Sequence, residues 1–220
     1  MVRLAFSLRE FLPDVNVETI RLGDATLVWE ARNRIAHAAL AKKHDFLLFI
    51  DSDIIFTPED VKNLIFNSLD VVHPKPVLRS GIYADRRYWV PIARLHEQEK
   101  IGKIAALQKI FLKMRRRVTM FPVLGLPMGF TLIQTSIFKE MGPPWFFEDY
   151  QQGTLNRVGE DYYFCQKAFK MGVEPILDCS VWVGHEGHTV IDPKQLMQQY
   201  EQYGDDFVTQ LGQRIEEAGF

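Results

Sequence analysis

The chain has 220 residues, 47% of them hydrophobic and 25% charged, with a formal charge of −2. This length and composition suit one large domain or two small ones with a substantial core, and exclude a repeat or low-complexity protein. The near-neutral charge gives no global attraction to nucleic acid, so no nucleic-acid partner is expected.

Met1 to Leu12 carries apolar residues at a helical period and is ended by Pro13; Val15 to Ile20 alternates and reads as a strand. The N-terminus lacks the apolar core of a secretory signal, and no stretch approaches the ~20 apolar residues of a membrane span. Cys165 and Cys179 fit no metal-ligand spacing and read as buried thiols of a reduced compartment. A soluble, cytoplasmic protein is therefore expected. Glu30 to Lys43 predicts a helix that places Ile35, Ala38 and Ala39 inward and leads directly into the most informative stretch, Phe46 to Phe56. This helix-then-strand order predicts a mostly parallel sheet.

In FLLFIDSDIIF, five apolar residues read as a strand buried on both faces, and the apolar character then breaks into Asp51-Ser52-Asp53. Two carboxylates at a strand end need water, a cation or a protonated partner. Residues i and i+2 of an extended chain point the same way, so both are expected to aim at a common ligand in the crevice beyond the strand. Mg²⁺ or Mn²⁺ carrying a diphosphate has the right chemistry, since both prefer oxygen ligands and leave positions open for phosphate. The plainer alternative is a capped strand end, because Thr57-Pro58-Glu59-Asp60 has the pattern of a capping box opening the next helix.

Val77 to Tyr83 reads as a strand, and Tyr88 to Ala93 as an edge strand limited by Pro91. Leu95 to Val118 is expected to be helical, with Ile104, Leu107, Phe111, Met114 and Val118 on one stripe. From Lys100 to Lys139 the chain contains no Asp or Glu. The basic stretch Lys100 to Arg117 is either a solvated helix packed on its stripe or a peripheral helix on anionic lipid or a phosphate-bearing acceptor. Leu126 to Ile133 resumes strand character, and Ser136 to Met141 makes a short helix stopped by Gly142-Pro143-Pro144. Trp145, Phe146 and Phe147 cannot all face one core, so at least one is expected to line a pocket or cover a ligand; a hydrophobic plug is the alternative.

Gly159-Glu160-Asp161 opens a helix running to Met171, with both acids at the positive end of its dipole. Val173 to Leu177 and Cys179 to Val183 read as strands, the second entering Gly184-His185-Glu186-Gly187-His188. His185, flanked by glycine, is either an accessible metal ligand or a hydrogen-bonded loop histidine. Asp192-Pro193 caps a C-terminal amphipathic helix.

Taken together, EARNRIAHAAL, LLFIDSD, GFTLI, PWF, GEDYYFCQKAFKMG and VGH, in that order over about residues 15 to 190, resemble the GT-A glycosyltransferases, especially the small family-2-like enzymes. The resemblance implies an α/β fold, the GT-A three-layer sandwich around a mostly parallel central sheet. It divides the chain into a catalytic domain over 1–190, with a basic helical insertion at about 95–118, and a C-terminal helical extension over 191–220. It implies a metal-dependent transfer of a hexosyl group from a UDP- or GDP-linked sugar to a hydroxyl of a glycan, lipid or protein acceptor, in the inverting manner. Mn²⁺ or Mg²⁺ would be held by Asp53 and His185, with Asp51 toward the ribose or the metal's waters. Arg32 and Asn33 would touch the nucleotide, Gly129 the donor, and Trp145 and Phe146 the acceptor. Asp161, or else Glu160, would be the catalytic base. The family's opening strand has no counterpart before Met1, and the basic insertion replaces a shorter loop.

Two other readings compete. A phosphohydrolase of the haloacid dehalogenase type also places D-x-D after a buried strand, but wants Thr or Val where this chain has Ile55. A non-catalytic GT-A-like binding module would retain the sheet without the nucleotide pocket.

Overall fold

The computed structural model describes residues 13, 15–22, 27–69, 76–85, 91–96, 98–116, 118–150, 157–187 and 192–217. The expected N-terminal helix at 1–12 and the first half of the expected strand at 88–93 lie outside them; Pro91 forms an isolated antiparallel bridge with Ala84. In chain order the elements are α1 (Val28–Ala41), β1 (Phe46–Ile50), β2 (Ile54–Ile55), α2 (Pro58–Leu69), β3 (Leu78–Ile82), α3 (Gln98–Arg115), β4 (Met120–Pro122) and β5 (Phe130–Gln134). There follow α4 (Thr135–Met141), β6 (Asp149–Tyr150), β7 (Arg157–Val158), α5 (Glu160–Lys170), β8 (Ile176–Trp182), β9 (Gly184–His185), α6 (Pro193–Tyr203) and α7 (Asp205–Glu217).

The expected α/β character holds, but the expected mostly parallel sheet does not. The central sheet has the order β1-β5-β3-β8-β4. Only β3 and β8 are parallel neighbours; β1 with β5, β5 with β3 and β4 with β8 are antiparallel. The order helix-then-strand is nevertheless present: β1, β3 and β8 follow α1, α2 and α5, and all three point the same way. β5 enters between β1 and β3 in the opposite sense and converts what would be a parallel neighbour relation into two antiparallel ones. As a result the carboxyl ends of β1, β3 and β8 and the amino end of β5 share one edge of the sheet, where ligands of open α/β sheets bind.

Val15 to Ile20 joins no ladder, contrary to its alternating pattern. Glu18 instead ties this extended segment to Lys42 and His44 at the end of α1. The capping box of α2 forms as expected: the Thr57 backbone N–H and hydroxyl both donate to Asp60 Oδ2, and the Asp60 N–H donates to the Thr57 hydroxyl oxygen. Asp192 caps α6 by accepting from the Lys194 N–H. The two strands expected over 173–183 are one continuous strand, β8, with Leu177, Cys179 and Val181 buried. Cys165 and Cys179 are buried free thiols whose pKa values burial pushes up to about 12.

Helix α3 begins with a break at Gly102, where φ is 79°, a left-handed value suited to glycine. Beyond it, Leu107, Ile110, Phe111 and Met114 are buried. Phe111 stacks on Tyr200 of α6 at 5.0 Å and meets Phe207 of α7 edge-on at 6.0 Å. The apolar stripe of the basic helix is thus covered by the chain's own C-terminal helices, whose Leu196, Met197, Val208 and Leu211 belong to the main core. Among the described residues, no helix is long and apolar enough to cross a membrane.

Candidate functional site

Asp51 lies just past β1, where its N–H donates to the Gly129 carbonyl at 2.9 Å. The chain then turns at once, closed by the Ile54 N–H donating to the Asp51 carbonyl. The expectation that Asp51 and Asp53 point together assumed an extended chain; the turn overturns that premise, and the two carboxylates have different partners.

Asp53 meets His185. The short ladder of β2 with β9 pairs Ile54 with His185 and Ile55 with Gly184, and the Glu186 N–H donates to the Asp53 carbonyl at 2.7 Å. His185 Nδ1 lies 2.8 Å from the Ala84 carbonyl oxygen. A carbonyl oxygen only accepts, so Nδ1 carries the proton and Nε2 presents its lone pair in the neutral ring. Nε2 is 3.5 Å from Asp53 Oδ2. Two donors each ~2.1 Å from one cation stand about 3.0 to 3.4 Å apart across a right or tetrahedral angle, so these two atoms are spaced as joint ligands are. An imidazole oriented through its other nitrogen by a backbone carbonyl is also the usual outer support of a metal-ligating histidine. The pair therefore fits a divalent cation that takes its remaining ligands from elsewhere. Among the described residues no group of three or more His, Cys, Asp or Glu is gathered for a metal.

Asp51 instead faces Arg32. Arg32 Nη1 donates to Oδ1 and Nη2 to Oδ2, both at 3.2 Å, a two-point grip that holds the carboxylate's plane. Arg32 is 4% exposed, and its Nε lies 3.7 Å from Glu160 Oε1 and 3.6 Å from Asp161 Oδ1. Burial alone would lower its pKa, but Asp161 first and then Asp51 and Glu160 more than offset this and raise it. The residue expected to touch the nucleotide is thus the buried counter-ion of three carboxylates.

Asp161 is the most perturbed acid of the site. Its Oδ2 accepts from the Met128 N–H at 3.0 Å, while Oδ1 is turned inward and makes no hydrogen bond. Desolvation raises its pKa to about 7 against the opposing pull of Arg32, with Glu160 and Asp51 adding to the rise. The side chain is 30% exposed, but Oδ1 does not reach solvent. A carboxyl poised near neutrality is what a general base requires.

Tyr83, at the end of the strand expected over 77–83, joins the two halves. Its hydroxyl oxygen accepts from the Gly129 N–H at 2.8 Å, and its ring meets that of His185 edge-on at 5.3 Å. Burial, with Asp161 and Asp51 nearby, pushes its phenol well above the usual value, so it stays neutral. The only signal for it in the sequence is its place directly after β3. Gly129 is required here by close approach: a Cβ would press into the Tyr83 hydroxyl and stand 3.2 Å from Asp51 Oδ2. Gly129 thus packs directly on the Tyr83 hydroxyl beside Asp51.

Asn33 and the two expected acceptor residues are placed otherwise. Asn33 Oδ1 accepts from the Trp145 and Phe146 N–H groups, and Nδ2 donates to the Trp29 and Phe146 carbonyls, which spends the amide's whole hydrogen-bonding capacity on anchoring the loop to α1. Phe146 is fully buried, stacked on Phe164 at 4.6 Å. Trp145 is 5% exposed, with its indole N–H donating to the Phe138 carbonyl. Where it reaches the surface, it borders a cleft of about 750 Å³ on the Arg34 and His37 side of α1. Helix geometry turns that side away from Arg32. Phe147, the third aromatic, is the exposed one, at 40%.

Fold and site together define a mixed α/β protein with a carboxylate-rich centre at the strand ends, three acids standing against one guanidinium and a fourth beside His185. No protein-family model and no curated protein matches the chain. Among solved structures it is similar to a viral protein, A197 from STIV, with a TM-score of 0.55 at 17% identity over 87% of this chain and 83% of that one. At that identity the likeness extends to the fold.

Proposed function

We propose that the chain is a metal-dependent glycosyltransferase of the GT-A type, moving a sugar from a nucleoside diphosphate to an acceptor hydroxyl with inversion. The observation that carries this reading is the meeting of Asp53 and His185, 132 residues apart in sequence, beside a second cluster that contains a poised carboxyl. Asp53 and His185 would hold the cation, and one imidazole with one carboxylate suits Mn²⁺ better than Mg²⁺, which favours oxygen throughout. When bound, the cation supplies positive charge that offsets the charge gathering on the departing diphosphate.

The protein's own residues do the rest. Arg32 fixes the plane of Asp51 and, by its charge, keeps Asp161 from rising further into the range where it would be protonated at neutral pH. The Asp161 carboxylate takes the proton of the acceptor hydroxyl as that oxygen forms its bond to the anomeric carbon. The carbon's bond to the diphosphate oxygen breaks in the same displacement, and its electron pair leaves with the nucleoside diphosphate. Gly129 lets the Tyr83 hydroxyl pack against the backbone beside Asp51, where a side chain would displace it.

The phosphohydrolase reading would require Asp51 to attack phosphorus. Both of its oxygens are held by Arg32, which weighs against that role.

A screen of UDP- and GDP-linked hexoses tests the proposal. With Mn²⁺, at least one is expected to be hydrolysed slowly to free sugar and nucleoside diphosphate, and chelation by EDTA is expected to abolish the reaction. Release of phosphate from simple phosphomonoesters, with no turnover of any sugar nucleotide, would overturn it.

A further inference from the structure

We infer that Trp29, Phe147 and Tyr163 form the acceptor platform and that its occupant is a pyranose ring of a glycan. This inference deepens the transferase reading and rests on it.

The three rings form one continuous surface group. Phe147 meets Trp29 edge-on at 5.5 Å and 65°, and meets Tyr163 at 6.0 Å and 63°. Phe147 is exposed while its neighbours Trp145 and Phe146 are buried, so the loop that plugs the core with two aromatics delivers the third to solvent. The loop is held in this setting by the Asn33 amide and by Lys167 Nζ, which donates to the Gly142 and Pro144 carbonyls.

Its position relative to the carboxylates follows from helix geometry. Tyr163 lies three residues after Glu160 on α5, and Trp29 lies three residues before Arg32 on α1. Residues so spaced share a helix face about one turn, ~5 Å, apart. Because Arg32 Nε and Glu160 Oε1 are 3.7 Å apart, both flanking rings stand one turn from the same ion pair, and Phe147 bridges them.

The surroundings decide the chemistry of the occupant. Glu148, adjoining Phe147, is ion-paired to Arg157, and Asp149 follows it at the surface. A lipid chain or a purely apolar peptide gains nothing from such a charged rim. A pyranose presents a face of C–H groups to aromatic rings while its hydroxyls radiate to polar neighbours, which matches an aromatic floor with an ionic edge.

The test is saturation-transfer NMR and calorimetry on the full chain with methyl glycosides of glucose, galactose, mannose and N-acetylglucosamine and their disaccharides. Mn²⁺-dependent binding of UDP and GDP is measured in parallel. At least one glycoside is expected to bind in the millimolar range. Phe147→Ala and Phe147→Leu are both expected to weaken it about tenfold or more, with melting temperatures within about 2 °C of the parent because the side chain is exposed. The leucine variant separates ring stacking from apolar bulk; unchanged glycoside affinity in it would overturn the inference. So would a parent protein that binds no glycoside but still binds nucleotide with Mn²⁺, a result that leaves the transferase reading standing. Dimerisation of the parent that is lost in Phe147→Ala would also overturn it, by showing a second copy on the patch.

Discussion

Arg32→Met is expected to destabilise the protein by about 3–5 kcal/mol at pH 7, the usual consequence of removing one partner from a buried ionic group. For a chain of this length that is a fall of about 10 °C in melting temperature. The side chain is 4% exposed and is gripped at two points by Asp51, with Glu160 and Asp161 within 3.7 Å. Methionine keeps most of the volume and removes the charge, leaving three carboxyl groups to repel one another. The loss is expected to shrink as pH falls to 5, because Asp161 then binds a proton and needs no counter-ion. Thermal melts of parent and variant at both pH values check this; a variant melting within 1 °C of the parent at pH 7 would show that the cluster is not held by Arg32.

Asp161→Asn carries the second large effect. If Asp161 takes the acceptor's proton, turnover falls by about 10²- to 10⁴-fold, measured as sugar transferred from a donor found in the screen. Stability moves the other way. The folded-state pKa of about 7 lies above the ordinary carboxyl value, so the contribution of this group is fully present below about pH 4 and is lost as pH rises through 7. Asparagine does not ionise, so the variant's stability should vary less over that window and exceed the parent's above pH 7. Allowing for screening at a side chain 30% exposed, the gain at pH 8 is about 1 kcal/mol, or roughly 2–4 °C. Equal turnover in parent and variant would remove Asp161 from the chemistry. A variant less stable than the parent at pH 8 would show that its ionised form is well compensated by Arg32.

The parts of this account that local pattern controls were legible in the sequence. The buried strand before Asp51, the Thr57 to Asp60 box and the Asp192 cap depend on neighbours a few residues away, and each is present. The meeting of Asp53 with His185 follows from the resemblance rather than from local pattern, and the resemblance placed Asp51 with them, where the structure gives Asp51 to Arg32. What was not legible depends on distant partners. The direction of β5 is decided by which two strands it slips between, and its own residues carry no mark of it. Asp51 and Asp53 diverge because a turn closes immediately after β1, and only the partner strand β9 reveals that turn. In Trp145-Phe146-Phe147 three similar side chains divide between core and surface according to the hydrogen bonds of Asn33, more than 100 residues away. Arg32 shows the same limit: its position near the site was readable, but its burial among acids was not.

The most direct measurement is calorimetric titration of UDP and GDP into the parent, Asp53→Ala and His185→Ala proteins, each with Mn²⁺ and with EDTA. Binding to the parent only when Mn²⁺ is present, lost in both variants while their melting temperatures stay near the parent's, is the predicted result. Nucleotide binding that is equally strong in EDTA, or that survives Mn²⁺-dependent in His185→Ala, would contradict a cation shared by these two residues.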